Sequence, residues 1–325
     1  MNLVIRALIL WHIQIYSTQT YPRIIWSYWD GKFTNFMNDI HNQTVACLDE
    51  RWDYRLLNKS TLGTYLNIST FPLLYFSLYP QIQSDYIRLR LLKEYGGWWL
   101  DVPTLINSNT LLENFYSEAL KRKVQLLGFS NHFYHGHPYL ETGIMYAPNG
   151  SNIISLWLQE MEVLFSIGII PYMHYVGQLG VYLPPPVYQP YPFLDGYFAV
   201  YSCSALVMER LIPRNTTFIT YDVNQYYYKM IDSCNWSGKC IQKVMRSSKQ
   251  KEYPIIKLNW PARKVLDPEY RQAFPLIHQS SYERKPDAWL FAYMCYHLLC
   301  YACVSLHMIQ MVSIGIKLPW KEKDF

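Results

Sequence analysis

The sequence predicts an α/β fold built around a buried sheet, and three observations carry that prediction. Apolar, β-prone runs alternate with a helical pattern between Arg23 and Leu57. A second helical pattern stops at Gly96-Gly97 and passes directly into the apolar run Trp98-Trp99-Leu100-Asp101. The chain has 325 residues and is 50% hydrophobic, which supplies a full core and excludes wholesale disorder.

The elements follow in order. Arg23 to Trp29 is apolar, lies between Pro22 and Asp30-Gly31, and reads as a buried first strand. Met37 to Asp49 reads as a helix and Trp52 to Leu57 as a second strand, the β-α-β alternation of an α/β sheet. A helix is expected to start at Ser84-Asp85 with Ser84 as its cap, because Tyr86, Leu89, Leu92 and Lys93 recur at helical spacing. Gly96-Gly97 ends it. Asp101 closes the next strand, and Pro103 forbids a regular continuation of the ladder. Gly128-Phe129 and Gly143 to Ala147 read as further strands, and Asn152 to Phe165 as an amphipathic helix. Pro184 to Pro192 is an irregular aromatic connection, suited to a lid or an acceptor-facing loop.

Composition narrows the function classes. Charged residues are 16%, below the roughly 25% of ordinary soluble domains, while aromatics reach 17% with 30 tyrosines. That profile suits contact with sugars, membranes or both. Net charge is +5 with no basic block or nucleic-acid motif, so no nucleic-acid partner is expected. No Gly-x-Ser-x-Gly or Walker pattern is present, which argues against a hydrolase triad or a P-loop ATPase. Cys234 and Cys240 flank a short polar loop and could pair, although spacing alone does not establish a disulfide. His132, His135 and His137 read as a polar loop, since they lack an i,i+4 pair and a dependable third ligand. Tyr226-Tyr227-Tyr228 reads as core and interface.

The two ends differ from the body. Residues 1–20 carry a short apolar stretch interrupted by Arg6 and His12, which suits either an imperfect signal peptide or an ordinary N-terminal element. Residues 288–316 contain no Asp, Glu, Lys or Arg, a run longer than the ~20 residues needed to cross a bilayer. Trp289 and Trp320 lie near its ends, and residues 317–325 form a short basic tail with Lys317, Lys321 and Lys323. A membrane-associated C-terminal helix is therefore expected, the alternative being a long buried helix. Sequons at Asn42, Asn58, Asn67, Asn149, Asn215 and Asn235 favour a glycoprotein whose body faces the lumen of the secretory pathway, with cytoplasmic-side membrane association as the alternative.

The chemistry concentrates in Ser84 to Asp101. Asp85 and Arg88 are three apart on a helix and share a face. Asp101 stands at the C-terminal tip of a buried strand, where open α/β sheets bind ligands. A carboxylate there can hold a divalent cation on a diphosphate or accept hydrogen bonds from sugar hydroxyls. The same spacing suits a structural ion pair between helix and strand, and spacing alone does not choose.

This stretch resembles the signature of the capsular polysaccharide synthesis protein family and of glycosyltransferase family 32. That signature reads Ser-Asp-x-x-Arg followed by Leu-x-x-x-Gly-Gly-x-Trp/Tyr-x-Asp. Pro22-Arg23-Ile24-Ile25-Trp26-Ser27-Tyr28-Trp29 is similar to the family's opening strand. Thr142 to Ala147, Asp195 to Phe198 and Ile255-Ile256-Lys257-Leu258 continue the likeness more weakly, so roughly residues 21 to 280 are covered. The resemblance implies a GT-A fold, a Rossmann-like nucleotide-sugar-binding domain over 21–287. It implies transfer of a sugar from a nucleotide-sugar donor to a glycan or other acceptor. Retention of configuration is expected from the family-32 relatives, although the sequence does not decide it. Trp26 and Tyr28 would contact the base or ribose, Asp85 and Arg88 would hold the donor sugar, and Asp101 would be the first carboxylate of an Asp-x-Asp motif binding Mn²⁺ or Mg²⁺.

The motif departs from the pattern: it reads Asp101-Val102-Pro103, so the second Asp is absent. Hard cations need several oxygens. His278 lies where related transferases often place a His near the diphosphate and is the candidate second ligand, with a structural or surface role as its alternative. Glu141 and Asp195 are candidate acceptor-facing carboxylates. The competing function is a catalytically inactive carbohydrate- or nucleotide-binding protein that retains the fold.

Overall fold

The computed structural model describes residues 19–131, 139–181, 199–258, 260–267 and 269. The chain divides into a compact unit, Met1–Pro268, and a second unit, Glu269–Phe325. His278, Asp195, the Pro184 to Pro192 connection, the His132 to His137 loop and the segments 288–316 and 317–325 lie outside the described residues, as do residues 1–18. No helix among the described residues is long and apolar enough to cross a membrane.

The chain enters through β1 (Ile24–Tyr28) and α1 (Asn35–Cys47). The helix starts ahead of the Met37 expected from apolar spacing. Thr34 supplies the reason: its side chain accepts the Met37 backbone N–H at 3.2 Å and satisfies a donor left free in the first turn. Next, β2 (Asp53–Leu57) pairs parallel with β1, from Ile24 opposite Asp53 to Tyr28 opposite Leu57.

The helix expected from Ser84 is longer than its pattern. α2 (Pro80–Tyr95) begins with Pro80 in its first turn, so Ser84 is not a cap and Asp85 stands inside the helix rather than at its end. Proline presets the first-turn dihedral and gives up an N–H that has no partner there, so the start needs no Ser or Asp. The helix ends at Gly96, with φ 69°, and Gly97 follows with φ 101°. A Cβ at Gly96 would stand 2.4 Å from Asn149 N, and one at Gly97 2.5 Å from Ile24 O, so only glycines let β3 (Gly97–Leu100) enter the sheet here.

Past Pro103 the chain leaves the main sheet. β4 (Thr104–Ile106) pairs antiparallel with a late strand instead of extending β3. Then come α3 (Asn109–Arg122), β5 (Leu126–Asn131), β6 (Tyr139–Ala147), α4 (Asn152–Ile167), α5 (Ile169–Gln178), α6 (Ala199–Leu206) and β7 (Phe218–Asp222). The described chain closes with α7 (Lys229–Ser233), α8 (Gly238–Met245), β8 (Ile255–Lys257) and α9 (Trp260–Leu266).

The main sheet has the order β2-β1-β3-β6-β5-β7, and a small sheet joins β4 to β8. Only β6 runs against its neighbours, so the other five strands share one direction and their C-terminal ends share one edge. Side chains alternate across the sheet with the period of two that strands impose. Ile25, Trp98 and Leu100 join Leu112 and Phe115 of α3 in one core. Trp26, Trp99 and Met145 join Tyr86 and Leu89 of α2 and Trp157 of α4 in the other. Helices therefore cover both faces, as in the mixed α/β architecture expected. A third cluster gathers Ile40, Leu105, Ile231 and Ile256 beside a disulfide between Cys234 and Cys240, whose Cα atoms are 5.4 Å apart.

Candidate active site

The site is assembled at the C-terminal edge of the parallel strands. Asp101 follows the last residue of β3 and lies two positions beyond Trp99, which places both on the α2 side of the sheet. Its backbone N–H donates to Gly143 O of β6 at 2.8 Å. From α2, Arg88 donates through one terminal nitrogen to Asp85 Oδ1 at 2.6 Å and through the other to Asp101 Oδ1 at 2.9 Å. The Trp99 indole N–H donates to the same Asp101 oxygen at 2.7 Å, and the Arg88 guanidinium lies over the Trp99 ring at 4.8 Å.

The second oxygen of Asp101 is taken by a residue from the far end of the fold. Lys257 Nζ donates to Asp101 Oδ2. Lys257 ends β8, opposite Thr104 of β4. Its N–H donates to Tyr227 O at 3.2 Å, and Leu258 N donates to Pro103 O at 2.8 Å. The end of the main-sheet ladder before Pro103 thus frees β4 to form the small sheet that delivers the lysine.

Burial separates the members. The Arg88, Asp85 and Lys257 side chains are 4%, 10% and 9% exposed, whereas Asp101 is 24% exposed. Asp101 is the group that opens to solvent, and the others stand behind it. Burial works to raise the Asp101 carboxyl, but Lys257 and Arg88 outweigh it and hold the group below the usual carboxylate value. Asp85 goes the other way: burial, with the Asp101 charge adding, raises it to about 7 against the pull of Arg88. Burial also lowers the Lys257 ammonium, against the pull of Asp101.

Gly143 forms the floor. A Cβ there would stand 2.3 Å from the Tyr227 hydroxyl and 3.0 Å from both Asp101 Oδ2 and Lys257 Nζ. The β5–β6 register shifts between Leu127 and Phe129, close to this point. Such irregularities re-aim a strand next to a site.

The three residues expected at the centre, Asp85, Arg88 and Asp101, are in contact. Tyr28 ends β1, and continuing the β1–β3 register from Trp26 opposite Trp99 puts it level with Asp101. It is 8% exposed, and burial with the Asp30 charge pushes its hydroxyl up to about 12. Trp26, expected to touch the nucleotide, is fully buried: its indole N–H donates to Gly96 O at 2.9 Å, and its ring packs on Tyr65, Tyr95 and the Arg55 guanidinium. It satisfies the carbonyl that the Gly-Gly turn strands, a structural role invisible to the strand pattern. Glu141 is buried and accepts from the Tyr201 hydroxyl at 3.3 Å.

Sequence reasoning gave no role to Lys257, Trp99 or Gly143. Lys257 did carry a signal: it is a lone charge in the apolar run Ile255-Ile256-Lys257-Leu258, and a charge in a buried strand needs a partner.

A divalent cation does not fit the described donors. Both Asp101 oxygens already face cations, and Val102, in the place of the second Asp, is 3% exposed and offers no oxygen. No group of three His, Cys, Asp or Glu among the described residues could hold a metal. An ion on Asp101 would also sit beside the Lys257 ammonium, where like unit charges repel by roughly 4 kcal/mol at about 4 Å in protein surroundings.

The fold belongs to the class of open α/β sheets, in which ligands bind outside the C-terminal ends of the strands. The sequence model of the family described as capsular polysaccharide synthesis protein matches residues 12–159, which contain Asp85, Arg88 and Asp101. This is the family whose signature the sequence resembles. No curated protein matches the sequence. Similar solved structures include a glycosyltransferase involved in the glycosylation of the major capsid of PBCV-1, at 12% identity and TM-score 0.39, covering 74% of this chain and 97% of that one. Another is the galactosyltransferase LgtC, at 10% identity and TM-score 0.38, covering 82% and 98%. A third is the glycosyltransferase GlyE of Streptococcus pneumoniae TIGR4, at 12% identity and TM-score 0.38, covering 73% and 54%.

Proposed function

We propose that this chain is a glycosyltransferase that moves a sugar from a nucleotide-sugar donor to a glycan or other acceptor. One observation carries the reading: Asp85, Arg88 and Asp101 meet at the C-terminal strand edge, inside the segment matched by the family, and Asp101 alone opens to solvent. In the reaction, the bond from the anomeric carbon to the diphosphate oxygen breaks and the nucleoside diphosphate leaves with the electron pair. The acceptor hydroxyl oxygen forms the new bond to that carbon, and its proton passes to the departing diphosphate.

Asp101 presents its open carboxylate edge to hydroxyls of the donor sugar. Arg88 and Trp99 fix that carboxylate from behind, and Asp85 fixes Arg88, so these are positioning residues. Tyr28, level with Asp101 on the adjacent strand, borders the base or ribose.

The buried Val102 favours a second reading, an inactive nucleotide- or carbohydrate-binding protein that lost the second carboxylate. Release of nucleoside diphosphate from a nucleotide-sugar panel separates the two. The purified chain is expected to turn over one donor, and Asp101→Asn, which leaves Lys257 without its carboxylate partner, to lose about 100-fold of that rate in protein that melting curves show to be folded, though less stable than wild type. Unchanged turnover by Asp101→Asn would remove this site from the mechanism. Donor binding without turnover by the wild type would establish the second reading.

A further inference from the structure

We propose that Lys257 holds the place of a divalent cation at Asp101, so that this chain binds nucleoside diphosphates without a metal ion. The inference rests on the transferase reading and specifies how its site meets the charge of the donor.

The argument starts from the carboxylate. Asp101 Oδ1 faces the Arg88 guanidinium and Oδ2 faces the Lys257 ammonium, so each oxygen has a fixed cation. A divalent ion on this carboxylate would have to share Oδ2 with the Lys257 ammonium and then find its remaining ligands elsewhere. The adjacent position is Val102, whose side chain is buried. The lysine instead answers the same need as the ion, positive charge beside a departing diphosphate, and an ammonium has three donors of which Asp101 uses one.

The placement of Lys257 is built into the fold. β8 is tied to the loop that follows Asp101 by the Leu258 N to Pro103 O bond, and Lys257 N is tied to Tyr227 O. Gly143 leaves the room: a Cβ there would press on Nζ and on Asp101 Oδ2, each at 3.0 Å. Arg88 adds a second fixed cation, and its buried Nε–H has no partner among the described residues. Two cations and two carboxylates thus meet within one closed cluster, with Asp101 as its open member. Such a cluster needs no ion to recruit before it can receive a phosphate-bearing ligand, since its charges are already held in position.

Isothermal titration of the full purified chain with UDP, GDP and ADP, once in EDTA and once in excess MnCl₂, tests this. One of the three is expected to bind with a Kd that differs by no more than about threefold between the two conditions. Lys257→Met should weaken that binding by about tenfold or more in EDTA, and Lys257→Arg should retain most of it. Melting curves establish that each variant is folded, and if Lys257→Met is not, the wild-type comparison still decides. Binding that appears only with Mn²⁺, or tightens with it by about tenfold, overturns this inference and leaves the transferase reading intact. Wild-type affinity in a folded Lys257→Met also overturns it. No binding of any nucleoside diphosphate under either condition overturns both.

Discussion

Two charge networks stand at opposite edges of the same sheet, and each joins two cations to two carboxylates. At the N-terminal edge, Arg23, just ahead of β1, forks onto Glu113 of α3 at 2.6 and 2.9 Å. Arg51 reaches Glu113 at 3.6 Å and Asp49 at 2.7 Å. At the C-terminal edge, Arg88 and Lys257 hold Asp85 and Asp101. The charge arithmetic is identical, and the surroundings are not: Arg51 is 56% exposed and Arg88 is 4% exposed. The first network staples α3 to the sheet in contact with water. The second closes charges into the interior except where Asp101 emerges. An ion pair alone therefore does not mark a site in this molecule; what sets the proposed site apart is its burial together with one open carboxylate at the C-terminal edge of the strands.

The sharpest way to break the comparison is to remove the cation that Asp85 and Asp101 share. Arg88→Met leaves Asp85 without its Arg88 bond and Asp101 with Lys257 as its one cation and the Trp99 indole as its other donor. A broken buried pair costs about 3–5 kcal/mol, because the remaining carboxyl must either stay charged in the interior or take up a proton there. Urea unfolding should show a loss of that size, and adding Asp85→Asn should recover part of it. A loss no larger than that of a surface pair would mean that the cluster is hydrated and open, and the distinction between the two edges would fail.

A smaller effect is expected from the floor of the site. Gly143→Ala places a methyl 2.3 Å from the Tyr227 hydroxyl, and overpacking of this kind costs about 1–3 kcal/mol. The penalty is steric, so Tyr227→Phe, which removes the hydroxyl, should relieve much of it in the double variant. Unfolding curves of the two single variants and the double form the cycle, and strictly additive costs would place the strain elsewhere.

These expectations also show what was legible in the sequence. The β-α-β alternation and the Gly-Gly entry to β3 were, because strand periodicity and positive φ leave local marks at Ile24 to Leu57 and at Gly96-Gly97. The pairing of Asp85, Arg88 and Asp101 was legible through helical spacing and motif order. The start of α2 is not legible, because a Ser-Asp pair has the chemistry of a cap wherever it stands, whereas Pro80 begins the helix. The burial of Trp26 is not legible, because the end of a strand does not announce which of its side chains is satisfied by a neighbouring carbonyl. Lys257 was not assigned because its partner lies 156 residues earlier, and only the pairing of β4 with β8 brings the two together.

The smallest expected effect tests the other edge. Glu113→Gln removes a carboxylate whose bonds from Arg23, working against burial, hold its pKa below the usual value. A depressed carboxylate stabilises the fold above its unfolded pKa, and that contribution is lost as pH falls through the folded pKa. Pairs partly open to water contribute about 0–1 kcal/mol, so the variant should lose that much near neutral pH. The difference from wild type should shrink below about pH 4 and in high salt. Asp85 has the opposite sign: its carboxyl is raised to about 7 by burial, so the native state holds a proton that the unfolded chain releases, and its contribution falls as pH rises from about 4 to 7. Urea unfolding of Glu113→Gln and wild type across this range therefore reads one network against the other. A Glu113→Gln cost as large as that of Arg88→Met would show that water contact does not separate the two edges.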